Sequence, residues 1–221
     1  MSATALLLRT FAASANCLFR ENLRRSSTAL FSTMAKKTAV CLLAEGAEEM
    51  EAIVTVDILR RAGVSVTVAS ITDKECIKCS RDVKICTDAK IGDIEGQKYD
   101  AVILPGGVGW KNLAASAKVG IILKAQESES KVIAAICAAP NVLKAHGIAK
   151  GKKITSYPSV KNDLTSDYSY IDDQIVVTDG NLITSKGPAT AYAFGLAIVE
   201  KLVDKETAQK VADGLLYKDY K

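Results

Sequence analysis

One cysteine stands where a nucleophile belongs. Cys137 follows the apolar run Val132–Ile136 and precedes Ala138-Ala139-Pro140, with Pro140 suited to the first turn of a helix. A strand that turns sharply into a helix leaves the side chain at its corner exposed, and small neighbours permit the turn. The new helix aims free N–H groups and the positive end of its dipole at the sulfur. A thiolate pKa of roughly 4–7 is then expected, against about 8.5 for a free cysteine. A histidine is the usual partner for such a thiol, but the single histidine, His146, lies nine residues on. Along a helix that is about 14 Å, out of reach. Proton handling therefore falls to a carboxylate, and Glu48, Glu49 and Glu51 follow an earlier apolar run. Acids in a first helical turn ordinarily serve the dipole. One turned into a cleft would be desolvated, its pKa raised until it can donate a proton. Pro105-Gly106-Gly107 offers backbone N–H groups that, with that of Ala138, form a candidate oxyanion site.

The surrounding pattern tells how these residues are held. Apolar runs over 39–44, 64–69, 101–104 and 132–136 read as strands buried on both faces. Helical periodicity covers 48–62, with Met50, Ile53, Val54 and Ile58 on one side, then 119–127, 138–146, 189–202 and 205–216. Two further strands, 174–178 and 181–185, flank a hairpin turn at Asp179-Gly180. Strands alternating with helices predict an α/β sandwich around a mostly parallel sheet. Such sheets carry their sites at the carboxyl ends of the strands, which selects the loops 44–50, 105–110 and 137–140.

The chain has 221 residues, 48% hydrophobic and 24% charged, with a net charge of +4. This is the profile of a folded domain, without a membrane span. Arg9, Arg20, Arg24 and Arg25 against the one acid Glu21 put most of the positive charge in the first 33 residues. The remainder is close to neutral and lacks the basic patch of a sequence-specific nucleic-acid binder. Residues 1–33 read as a mitochondrial transit peptide or a disordered tail. Residues 34–221 read as a single domain. Met34-Ala-Lys-Lys resembles a second start, predicting a cytoplasmic or nuclear pool beside the mitochondrial one. Cys76-x-x-Cys79 and Cys86 hint at zinc, but no second pair completes a tetrahedral set, so no metal or other cofactor is expected. A disulfide framework is not expected either.

Gly46-Ala47-Glu48-Glu49-Met50-Glu51, Arg60-Arg61-Ala62-Gly63, Cys79-Ser80-Arg81-Asp82, Leu104-Pro105-Gly106-Gly107 and Ala134-Ala135-Ile136-Cys137-Ala138 closely resemble the ThiJ/PfpI superfamily, in order and from about Ala35 to Leu216. The resemblance implies a flavodoxin-like three-layer sandwich with a cysteine nucleophile elbow, assembled as a homodimer. It implies an oxidation-sensitive cysteine at Cys137 and a glutamate at Glu51 hydrogen-bonded to it. Its implied activities are removal of methylglyoxal and glyoxal adducts from proteins and nucleotides (a hydrolase acting on carbon–nitrogen bonds), glyoxalase chemistry, and redox-regulated chaperone protection. Two positions depart from the pattern. Tyr157, in Ser156-Tyr157-Pro158, replaces a common histidine and is a poor base near neutral pH. Lys186 replaces an arginine, keeping the charge but losing the bidentate fork. Gly106, Gly107, Ala138 and Tyr157 are the candidate oxyanion and substrate residues, and Arg81 and Lys186 candidates for a dimer contact or for support behind the site.

Three functional classes follow. An enzyme would use Cys137 to attack the carbonyl-derived carbon of a glycation adduct, with Glu51 relaying the proton. A non-enzymatic redox sensor or chaperone would act through oxidation of Cys137 to sulfinate. An amidotransferase or peptidase would share the elbow but requires an accessible histidine.

Overall fold

A computed structural model describes residues 36–220, so the expected transit peptide, Cys17 and the Met34 start lie outside the described residues. The first strand, β1 (Thr38–Leu43), lies in the interior of the main sheet. Every side chain from Ala39 to Ala44 is fully buried, as expected of a strand covered on both faces. Odd and even residues serve different cores. Ala39, Cys41 and Leu43 meet one set of helices, and Val40, Leu42 and Ala44 the other, following the period of two along a strand.

The main sheet has seven strands in the order β10-β11-β7-β6-β1-β2-β5. Its members are β2 (Ser65–Ser70), β5 (Ala89–Lys90), β6 (Ala101–Leu104), β7 (Val132–Ile136), β10 (Val176–Asp179) and β11 (Leu182–Ser185). All pairings are parallel except β10 with β11. One face carries α1 (Glu49–Arg61), α6 (Ala191–Leu202) and α7 (Lys205–Gly214). The other carries α2 (Trp110–Ala115), α3 (Ala117–Ser128), α4 (Pro140–His146) and α5 (Lys161–Leu164). This is the expected three-layer α/β sandwich with a mostly parallel sheet. From β1 the chain runs outward through β2 and β5, then returns to place β6 on β1's other side. The strand order reverses between β1 and β6, where open sheets of this kind form a crevice.

Several details differ from the sequence reading. On α1 the buried row is Ala52, Thr55, Val56, Ile58 and Leu59, whereas Met50 and Ile53 are 52% and 47% exposed. The helix turns this row to the sheet and to α6, leaving a second apolar row outward. The β10–β11 turn is Gly180-Asn181, because Asp179 pairs with Leu182. The helix α2, the hairpin β3 (Cys76–Lys78) with β4 (Lys84–Cys86), and the parallel pair β8 (Lys153–Ile154) with β9 (Ser169–Tyr170) were not legible in the pattern. Each of these strands has three residues or fewer, too short to show a period.

The expectation of no disulfide is also overturned, since Cys76 and Cys86 are bonded to each other. They face one another directly across the hairpin, so local pairing brings the sulfurs together whatever the rest of the fold does. Cys79 is buried in the core while Cys76, half-buried, is bonded to Cys86, which separates the Cys-x-x-Cys pair that suggested zinc. Among the described residues, no helix is long and apolar enough to cross a membrane.

Candidate active site

The three loops selected from the sequence meet at the crevice. The Glu48 N–H donates to the Gly106 carbonyl at 3.1 Å, and the Gly109 N–H to the Gly46 carbonyl at 2.8 Å. A bridge pairs Ala47 with Gly107. The loops after β1 and β6 are thus laced together, and the elbow after β7 closes the third side.

Cys137 occupies that elbow with φ +64°, a left-handed conformation that costs a non-glycine residue about 1–3 kcal/mol. Its backbone is pinned on both sides. The N–H donates to the Ser185 carbonyl at 2.9 Å, and the carbonyl accepts from the Tyr157 N–H at 2.8 Å. The strand ends, one strained residue turns the chain, and α4 begins at Pro140. The N–H groups of Gly107 and Ala138 are directed at the sulfur.

The three acids after β1 divide their work. Glu48 caps α1, its Oε2 accepting the Glu51 N–H at 2.8 Å, a standard use of an acidic N-cap. Glu49 accepts from the Ser80 hydroxyl at 2.9 Å and the Arg81 N–H at 2.8 Å, tying the β3–β4 hairpin to the helix. Glu51 alone turns into the crevice and is fully buried. Its Oε2 accepts the Gly106 N–H at 2.7 Å. Its Oε1 is buried without a well-formed hydrogen bond, and the side chain that bonds to this carboxyl group is Cys137.

Close approach here depends on glycine. A Cβ on Gly106 would lie 2.6 Å from the Cys137 Cβ and 2.9 Å from Glu51 Oε2. Gly107, at φ +72°, would place a Cβ 2.5 Å from the Glu48 nitrogen. The Pro-Gly-Gly loop therefore lets a backbone lie directly against the carboxyl–thiol pair.

Burial pushes Glu51 up to about 7, with the neighbouring Glu48 charge adding to the rise and the Gly106 and Cys137 hydrogen bonds opposing it. Burial also pushes the Cys137 thiol up to about 12, and the Glu51 charge beside it adds to that rise. The N–H groups of Gly107 and Ala138 only partly offset both effects. These shifts run opposite to the low thiolate pKa expected from the helix dipole. A helix dipole favours the thiolate, but the loss of water and the adjacent carboxylate outweigh it. Burial thus favours the protonated form of both groups, with Glu51 pushed to where it can give or take a proton.

The other candidates are dispersed. Tyr157 is 46% exposed, its ring lying over Gly187, and it reaches Cys137 through its own backbone N–H. The Arg81 side chain is exposed and donates to the Ser80 carbonyl at 3.1 Å. Lys186 donates to the Asp172 carbonyl. His146 ends α4 and packs against Gly120, its Nε2 3.4 Å from the Leu113 carbonyl. Two contributors escaped the sequence reading, the Ser185 carbonyl that anchors the elbow and Glu48 as cap. The cap was legible in principle, because it stands three residues before the group it serves.

A family model, that of the DJ-1/PfpI family, matches residues 36–201. The Parkinson disease protein 7 homolog of Danio rerio is 47% identical over 84% of this chain and all of its own length. The glutathione-independent glyoxalase DJR-1.2 of Caenorhabditis elegans is 42% identical over 78% of this chain and 92% of its own. The crystal structure of Drosophila melanogaster DJ-1beta superposes with a TM-score of 0.81, at 54% identity, covering 82% of this chain and 98% of that one. With the fold, the elbow and these likenesses in agreement, the chain belongs to the DJ-1/PfpI family.

Proposed function

We propose that the chain is a cysteine-dependent enzyme of glyoxalase and deglycase type, acting on methylglyoxal, glyoxal and the adducts they form with amines of proteins and nucleotides. The observation that carries this reading is the fully buried Glu51 carboxyl group, pushed up to about 7, in contact with the Cys137 thiol at the elbow. A base near the working pH, in contact with the proton it must take, suits general acid–base catalysis. As the sulfur adds to the aldehyde carbon, the Glu51 carboxylate takes the thiol proton and passes it to the aldehyde oxygen, so no free thiolate is needed and the carboxylate is regenerated. The new hydroxyl sits under the N–H groups of Gly107 and Ala138. The hydrogen on that carbon then passes as a proton, by way of Glu51, to the neighbouring carbonyl carbon, and the hydroxyl proton passes to that carbonyl's oxygen, leaving a thioester of a 2-hydroxy acid. Water hydrolyses the thioester and returns the thiol. With an amine adduct, the sulfur displaces the amine in the first step and the repaired amine leaves. The name of the C. elegans relative supports the glyoxalase half of the reading.

Release of lactate from a methylglyoxal-treated amino acid, with free methylglyoxal scavenged, tests it. Sustained release supports adduct repair. Release only without the scavenger restricts the activity to the free aldehyde, and none in either case refutes the proposal.

One observation favours a second role for the same site. The N–H groups of Gly107 and Ala138 at the sulfur, beside a carboxyl group able to be protonated, would hold a Cys137 sulfinate. Redox sensing and chaperone action belong to that reading. A homodimer is also proposed, supported by the outward Met50 and Ile53, a turn apart on α1. Mitochondrial targeting by residues 1–33 is proposed on their arginine-rich, nearly acid-free composition.

A further inference from the structure

The β3–β4 hairpin is built into the active-site loop. The Gly46 N–H donates to the Lys78 carbonyl at 2.9 Å, and the Ser80 N–H to the Ala47 carbonyl at 2.8 Å. The Lys78 N–H donates to Glu45 Oε2 at 3.3 Å, and Glu49 accepts from Ser80 and Arg81. The segment 45–49, which leads directly to Glu51, therefore takes much of its position from this hairpin. Yet the hairpin has only three residues in each strand, and an isolated pair of that size is marginal in water.

Cys76 and Cys86 occupy the opening end of this hairpin. The Thr87 N–H donates to the Glu75 carbonyl, and the Cys79 N–H to the Val83 carbonyl, both at 2.8 Å. In an antiparallel ladder this makes Cys76–Cys86 a non-hydrogen-bonded pair, in which facing side chains lie closest. Their Cα atoms are 3.9 Å apart. Cys86 is exposed and Cys76 half-buried, while Cys79 points into the core and cannot compete.

We infer that Cys76 and Cys86 form a reversible thiol–disulfide site, distinct from Cys137, whose state sets how firmly the 45–49 loop is held. Oxidation by hydrogen peroxide turns one thiol to a sulfenic acid with loss of water. The second thiol attacks that sulfur and expels a second water, so two thiols and one peroxide give one disulfide and two waters. Two equivalents of a small thiol reverse it, the first attacking a sulfur to form a mixed disulfide and the second releasing it as the oxidised small-thiol dimer. The pair would cycle in this way whatever the activity of Cys137.

The test uses the full chain and its Cys137→Ser variant, so that oxidation of the site cysteine is not mistaken for closure of the pair. Each is treated with one equivalent of hydrogen peroxide or with excess dithiothreitol, then alkylated and mapped by mass spectrometry. Amide exchange is followed in parallel. Residues 76 and 86 should be protected from alkylation after peroxide and labelled after reductant. On reduction, the amides of Gly46, Ser80 and Arg81 should exchange about ten- to a hundredfold faster, the range expected when a short-loop constraint is lost. Cys76→Ser and Cys86→Ser should show the fast exchange already and ignore the reductant. A pair that stays alkylatable after peroxide, or amides whose exchange is the same in both states, would overturn the inference.

Discussion

Replacing Glu51 by glutamine should stabilise the protein in a pH-dependent manner while disabling its chemistry. The unfolded chain releases the Glu51 proton near 4.5, and the folded chain holds it to about 7. Below about 4.5 the group is protonated in both states and imposes no electrostatic cost. Between 4.5 and 7 the folded state binds a proton the unfolded state has lost, so rising pH removes stability. Above 7 both are ionised and the whole cost is present. At ~1.4 kcal/mol per pH unit, that interval amounts to about 3 kcal/mol. The amide of Glu51→Gln cannot ionise, yet its oxygen can still accept the Gly106 N–H. Its stability relative to wild type should therefore climb by about 3 kcal/mol between pH 4 and pH 8, roughly 6–12 °C in Tm for a domain of this size. Urea titrations of both proteins at four pH values would measure it, with m-values compared to confirm a common unfolded state. Stopping at pH 8 keeps most cysteine ionisation outside the window. A difference that stays constant across the range, or that shrinks as pH rises, would refute the claim that burial holds this carboxyl group near 7.

Gly106→Ala should remove most lactate production and destabilise the fold, because its Cβ would overlap both Cys137 and Glu51; kcat and urea midpoint read the two effects. His146→Ala should leave kcat within about twofold of wild type, since the ring packs on α3 far from the sulfur; a well-folded variant without activity would show the site to be misassigned. Residues 1–33 fused to a fluorescent reporter should direct it to mitochondria, and a diffuse signal would contradict the targeting role.

Much of the architecture was legible because long buried strands announce themselves. The apolar runs around β1, β6 and β7 could be read as fully covered strands, and their alternation with helices fixed the fold class. The elbow was legible for a similar reason, since a cysteine between an apolar run and Ala-Ala-Pro stands where a strand must turn into a helix. Residue types alone could shortlist Glu51 only together with Glu48 and Glu49, and it was the family resemblance that singled it out, because the angle of α1 against the Gly106 loop decides which acid enters the crevice. The hairpin at Cys76–Cys86 was hidden by its brevity, and with it the disulfide. The exposed Met50 and Ile53 misled because helical periodicity alone does not say which apolar row meets the sheet. Least legible was the state of the thiol. Sequence placed a helix dipole beside Cys137, whereas burial and a carboxylate brought from a distant segment, which both push the thiol pKa up, are set only by the fold.

Whether Glu51 serves as the base for Cys137 can be read from the rate at which iodoacetamide alkylates the thiol, followed from pH 5 to pH 9 in wild type and Glu51→Gln. With Glu51 accepting the thiol proton, the wild-type rate should rise with an inflection near 7, and Glu51→Gln should lose that inflection and react more slowly at neutral pH. A rate already at its plateau by pH 6 in both proteins would mean that Cys137 is a free thiolate needing no base, and the coupled pair would have to be abandoned.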